Sequence, residues 1–215
     1  MSLSLIVLFV SIICSVLVLI QYRALSDILK VFGIYFLISN CIEILSLFLA
    51  ENKISNLFLF HVNTMVEFWF LVIFFYACDR KHGKPFPLIP VLLQGLFIIL
   101  GNSLFVQTID MFNSYSATLV NLVLLIFSLR FFFTTMDVEV TKELKIVKLI
   151  VSCLLLVFGT SLVVLLFSNA MLNIATSYQL FIWDFRGILI LCTKVIFGLI
   201  FVKLLIESRF KTIKI

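Results

Sequence analysis

One stretch decides the reading of this chain: Tyr178-Gln-Leu-Phe-Ile-Trp-Asp184-Phe-Arg186-Gly187-Ile-Leu-Ile-Leu-Cys-Thr-Lys194-Val-Ile-Phe-Gly198-Leu-Ile-Phe-Val-Lys203. It is apolar enough to cross a bilayer, yet Asp184, Arg186 and Lys194 sit inside it. Ionisable groups at membrane depth are costly, so they face partners or a wet cavity. The rest of the chain is then expected to supply those partners.

Composition agrees with that reading. Of 215 residues, 63% are hydrophobic and 13% charged, and mean hydropathy is +1.27. Soluble domains are about 45–50% apolar and about 25% charged. A spanning helix needs roughly 20 apolar residues. Seven such segments fit, leaving no room for a separate soluble domain. They are expected at about 2–21, 28–50, 54–78, 86–104, 112–133, 146–168 and 178–206. The fold class is therefore all-α, a seven-helix transmembrane bundle forming one integral membrane domain. Span 1 lacks a basic n-region and a small-residue cleavage site, which is the pattern of a retained helix.

Positive charge sets the orientation. The loops and flanks after spans 1, 3 and 5, with the tail, hold Arg23, Lys30, Arg80, Lys81, Lys84, Lys142, Lys145, Lys148, Arg209, Lys211 and Lys214. The opposite loops hold only Lys53. Positive loops stay cytoplasmic. This places the amino terminus outside and the carboxyl terminus inside, most simply in a bacterial inner membrane. The net charge of +5 thus reflects topology. No basic cluster alternates with exposed aromatics, so nucleic acid is not an expected partner. The expected partners are the lipid bilayer and a membrane protein or a second copy.

The polar residues within the spans define the candidate site. Span 2 carries Glu43, and span 3 carries His61, Asn63, Thr64 and Glu67. Asn63 and Glu67 are helical neighbours four apart. Span 5 carries Asn121 at mid-depth. Helix rise puts Glu43, His61, Asp184 and Arg186 in one outer layer, and Glu67 level with Lys194 at about 16–18 Å from the inner surface. Depth therefore predicts that Glu67 pairs with Lys194, and that Glu43 or Asp184 pairs with Arg186. Gly187, Lys194 and Gly198 fall within about 20° of one line on their helix, as an inward packed face would. All three prolines, Pro85, Pro87 and Pro90, open span 4, where a missing N–H costs little.

No catalytic motif, cofactor or metal is expected. His61 and His82 are the two histidines, too few for the seven-helix metal hydrolases of the ceramidase type. His61 reads as an interhelical hydrogen-bonding residue. The five cysteines include no CxxC pair and read as buried free thiols. HExxH, GxSxG and P-loop patterns do not occur.

Two resemblances bear on function. Thr193-Lys194-Val-Ile-Phe197-Gly198-Leu-Ile resembles the retinal-lysine helix of microbial rhodopsins. That would make Lys194 the retinal attachment point and Glu67 its counter-ion. Departures accompany it: Ile190 stands where those proteins carry a carboxylate, and span 3 lacks their Arg-x-x-Asp/Glu signature. His61-Val-Asn-Thr64-Met-Val-Glu67-Phe resembles span 3 of small, uncharacterised bacterial seven-helix membrane proteins. It implies a polar pair on an aromatic-rich helix and carries no activity with it. The residues favour a non-enzymatic membrane module, either sensing a small or lipidic ligand in its outer half or serving as a subunit of a larger complex. The alternatives are a membrane enzyme using Glu67 or Asp184 as acid–base, a proton-coupled transporter and, last, a retinal protein.

Overall fold

The computed structural model describes residues 3–166 and 176–212. The expected start of span 1 at residue 2 and end of span 6 at residue 168 lie outside the described residues. Among the described residues, seven helices are long and apolar enough to cross a membrane. They are α1 (Leu3–Gln21), α2 (Asp27–Glu51), α3 (Leu57–Lys81), α4 (Leu88–Phe105), α5 (Ser114–Thr134), α6 (Lys142–Leu166) and α7 (Thr176–Thr212), with one 3-10 turn at Tyr22–Ala24.

Local chemistry sets the ends. Asp27 lies in the first turn of α2, and Arg80 and Lys81 in the last turn of α3; both arrangements complement the helix dipole. Pro87 precedes α4 and Pro90 occupies its first turn. α2 closes with Lys53 in the left-handed region at φ 58°. The N–H of Ile54 then donates to the Leu49 carbonyl at 2.9 Å, satisfying one of the orphan acceptors of the last turn.

Among the boundaries that differ from expectation, the last helix runs on to Thr212 instead of ending at 206, and two others involve charged runs. The charged run after span 3 was expected as loop from Asp79, and the run after span 5 as loop through Lys145. Helix α3 instead continues to Lys81, and α6 begins at Lys142. Thr141 explains the second: its Oγ1 accepts from the Leu144 N–H at 3.2 Å, capping the first turn.

The helices α1, α2, α3, α5, α6 and α7 form a closed ring, with α7 returning to α1, while α4 packs outside it on α3 and α5. Phenylalanines fill part of the ring. Phe32 of α2 meets Phe74 of α3 at 5.6 Å and Phe197 of α7 edge-on at 4.9 Å, and Phe36 meets Phe201 at 6.4 Å. Contacts of this kind contribute about 1 kcal/mol each. Helices also approach through small residues. A Cβ on Gly198 would lie 2.8 Å from Cys14 Sγ, and one on Gly95 only 2.0 Å from the Phe68 ring. Such close approach is what holds apolar helices together where water exclusion does not. Large apolar side chains stand on the outer helix faces, with Phe97, Phe105 and Phe133 more than 70% exposed.

The cysteines are free, but only Cys14, Cys78 and Cys153 are buried. Cys41 and Cys192 are exposed, so the expectation of five buried thiols is corrected: these two lie on outward helix faces.

Candidate functional site

Three polar clusters lie between the helices. The first joins α1, α2 and α7 around Lys194. Its ammonium donates to Glu43 Oε2 at 2.5 Å, Ser11 Oγ at 2.6 Å and Asn40 Oδ1 at 3.4 Å. Asn40 in turn donates to Ser15 Oγ at 2.8 Å and to the Ser11 carbonyl at 3.2 Å. Spacing builds this arrangement. Ser11 and Ser15 are four apart on α1, and Asn40 and Glu43 three apart on α2, so each pair shares a face. Gly198 seats α7 against Cys14, and Cys14 Sγ lies 3.4 Å from the Lys194 carbonyl. One turn along, Lys194 meets Ser11.

The expected Glu67–Lys194 pair is therefore incorrect. Depth allowed it, but the order of helices around the ring did not: α7 packs on α1 and α6, and α1 on α2, so Lys194 faces Glu43. The retinal resemblance would accordingly have Glu43, not Glu67, beside the lysine.

The second cluster joins α2, α3, α6 and α7. Glu67 and Tyr35 lie beside each other, and Ser39 donates to Asn63 Oδ1 at 3.2 Å. Arg186 donates from Nε to Ser161 Oγ at 2.9 Å and lies over the Trp183 ring at 5.8 Å. Glu67 is its electrostatic neighbour. The expected pairing of Arg186 with Glu43 or Asp184 is also incorrect. Arg186 precedes Lys194 by eight residues, a rotation of about 80°, which turns it from α1 towards α6. Asp184 is exposed; two residues before Arg186, it points to the opposite side of α7. Phe60, Phe112 and Trp183 form an aromatic contact chain near Arg186, with centroids 5.6 Å and 6.0 Å apart.

The third cluster lies where α3, α4 and α5 meet the α4–α5 connection. His61 is buried, with Nδ1 2.7 Å from Ser103 Oγ and Nε2 3.1 Å from the Met111 carbonyl. Asn113 donates to Thr64 Oγ1 at 3.1 Å, and Gln107 to Ser114 Oγ at 2.9 Å. The interhelical role expected for His61 is what the structure shows. His61 takes its hydrogen-bond partners from Ser103 and Met111, not from Glu43, Asp184 or Arg186. Asn121 is buried but donates to the Ala117 carbonyl of its own helix at 2.7 Å. It belongs to no shared site.

Sequence reasoning missed several partners. Ser11 and Ser15 were legible as a polar pair within span 1. Asp79 was counted as loop, yet its carboxylate is buried and accepts from Arg130 Nε at 2.8 Å, and Arg130 also donates to the Lys84 carbonyl at 3.0 Å. At the same end Lys81 pairs with Glu143. His82, just beyond α3, has its imidazole pKa lowered by partial burial and then by the Lys81 charge. Among the described residues no His, Cys, Asp and Glu group could hold a metal.

Compared with known proteins, the chain matches no family model, no curated protein and no solved structure. What it does must be inferred from these clusters.

Proposed function

We propose that the chain is a non-enzymatic, multi-pass membrane module that serves as the membrane subunit of a larger assembly. In this reading it lies in a bacterial inner membrane, amino terminus outside and carboxyl terminus cytoplasmic. The asymmetric distribution of Lys and Arg supports that orientation. One observation carries the functional reading: Lys194 has an acceptor in each of three directions, from Glu43, Ser11 and Asn40. An ammonium has three donors, so none is left for a substrate. The most conspicuous buried charge is thus explained by packing, and the broad apolar exterior is left for lipid and for partner helices.

The test is cross-linking in the native membrane, extraction into lipid particles, and measurement of the mass and composition of what the tagged chain brings along. A partner at fixed stoichiometry, retained when Lys194 and Glu43 are replaced together by Met and Leu, is the expected result. A chain recovered alone and monomeric from cross-linked membranes overturns the proposal.

A second reading has its own observation. Arg186 and Glu67 influence each other electrostatically, and a small charged ligand of the outer half of the bundle could engage both. Ligand-dependent stabilisation abolished by Arg186→Gln but not by Lys194→Met would favour this sensing role.

A further inference from the structure

Helix α4 stands outside the ring on α3 and α5, and its buried residues are Gly95, Ile99 and Ser103. Two residues on its outward side are out of place against lipid. The first is Gln94. It is exposed and makes no hydrogen bond to any described residue. Counted from Leu88 and Phe105, it lies about 9 Å from one end of α4 and about 16 Å from the other, too deep for its short side chain to reach either end. Val91, Ile98, Leu119 and Val123 line the groove of about 100 Å³ beside it, between α4 and α5, and their side chains offer neither donor nor acceptor. An amide left unpaired in hydrocarbon is costly.

The second is Gly101. A Cβ built there would meet nothing within 4 Å, whereas one on Gly95 would strike the Phe68 ring. A single chain therefore makes no use of the missing side chain at 101, although a mid-helix glycine weakens the helix. A bare glycine on a lipid-facing surface serves a second helix that approaches closely. The two residues are seven apart and lie within about 20° of one line along the helix. Ile98 and Phe105 run beside them, 43% and 86% exposed. Gln94, Ile98, Gly101 and Phe105 thus follow the alternating four- and three-residue spacing of a helix–helix seam.

We propose that this seam is the contact of a parallel twofold dimer, in which α4 of one copy crosses α4 of a second copy and the two Gln94 amides hydrogen-bond each other. Depth and symmetry select a second copy over a lipid. Phospholipid carbonyls and headgroups lie at the edges of the hydrocarbon layer, more than a helical turn from Gln94. Copies inserted in one orientation carry Gln94 at one depth, and a twofold axis along the membrane normal brings it against itself. A primary amide holds both N–H donors and a carbonyl acceptor, so two of them satisfy each other reciprocally. The dimer gives the subunit reading above one definite partner, and rests on it only for the idea that the apolar exterior serves partner helices.

Two purified pools of the intact chain, labelled at the carboxyl terminus with donor and acceptor fluorophores, are reconstituted together in phosphatidylcholine vesicles, and energy transfer is followed as lipid dilutes the protein. Transfer should fall along a monomer–dimer curve. Gln94→Leu should raise the dissociation constant by about tenfold, the loss of two interhelical hydrogen bonds. Gln94→Asn keeps the amide and should stay within about threefold of the parent. Gly101→Leu fills space that is empty in one chain, so it should leave the unfolding midpoint unchanged or higher and still weaken the dimer by about tenfold or more; it decides the matter if Gln94→Leu folds poorly. Energy transfer no greater than random proximity at every dilution, or a dimer left equally tight by either Gln94→Leu or Gly101→Leu, overturns the proposal. These vesicles hold no other protein, so that outcome removes the second copy and leaves an assembly with unlike partners to the native-membrane test above.

Discussion

Removing one side of the Lys194–Glu43 pair tests how the interior is held together. Lys194 is 12% exposed at its side chain and Glu43 34%. Breaking a fully buried pair costs about 3–5 kcal/mol, chiefly because the remaining charge is left without a counter-charge. Glu43 is partly open, so the expected loss in Glu43→Leu is at the lower edge, about 3 kcal/mol. Lys194→Met strands a carboxylate that Ser11 still approaches at 3.3 Å, and should cost less, about 1–2 kcal/mol. Replacing both together removes the charges and keeps the volume, which brings stability back to within about 1 kcal/mol of the parent. The coupling between the sites is then about 3–5 kcal/mol, at or above the upper end for directly contacting groups. The assay is reversible unfolding in mixed micelles, followed by the fluorescence of Trp69 and Trp183, for the parent, both single variants and the double. A coupling below about 0.5 kcal/mol would refute the claim that this pair stabilises the bundle.

Three further outcomes are expected. Gly95→Ala should destabilise the fold by about 2–3 kcal/mol, because its Cβ would fall 2.0 Å from the buried Phe68 ring; Phe68→Leu in the same chain should recover more than half, and an additive double variant would count against the α3–α4 contact. Asp79→Ala should cost about 2 kcal/mol, discounted because Arg130 is 42% exposed; unfolding midpoints unchanged from the parent would show the pair to be dispensable. The lowered pKa of His82 means that the unfolded chain takes up a proton more readily than the folded one. Its contribution to stability is thus intact above its ordinary value of 6.5 and declines as pH falls through that value towards the folded-state pKa. His82→Asn should remove that decline, and an identical pH profile in the variant would contradict it.

Much of the fold was legible because hydropathy is local. Six of the expected spans begin within a few residues of the observed helices, since whether a segment is apolar over a helix length depends only on that segment. The misplaced boundaries have the same cause in reverse. Charged residues at Asp79 and Lys142 resemble loop in composition, and only the cap at Thr141 and the Asp79–Arg130 contact turn them into helix ends. The polar residues of the site could also be singled out one by one. Their pairing could not, because two residues at equal depth can lie on opposite sides of a ring.

The chain by itself determined that there are seven apolar helices, where they run and which charges they carry. Only the tertiary structure decided that α7 lies against α1 and α6, with α4 outside the ring. That order gives Lys194 to Glu43, turns Arg186 towards Ser161, and leaves Gln94 on an outer face. The physical reason is one of range. Helix formation and apolarity depend on neighbours within a few turns, whereas ion pairing depends on helical phase and on the packing partners at each close contact, such as Gly198 on Cys14.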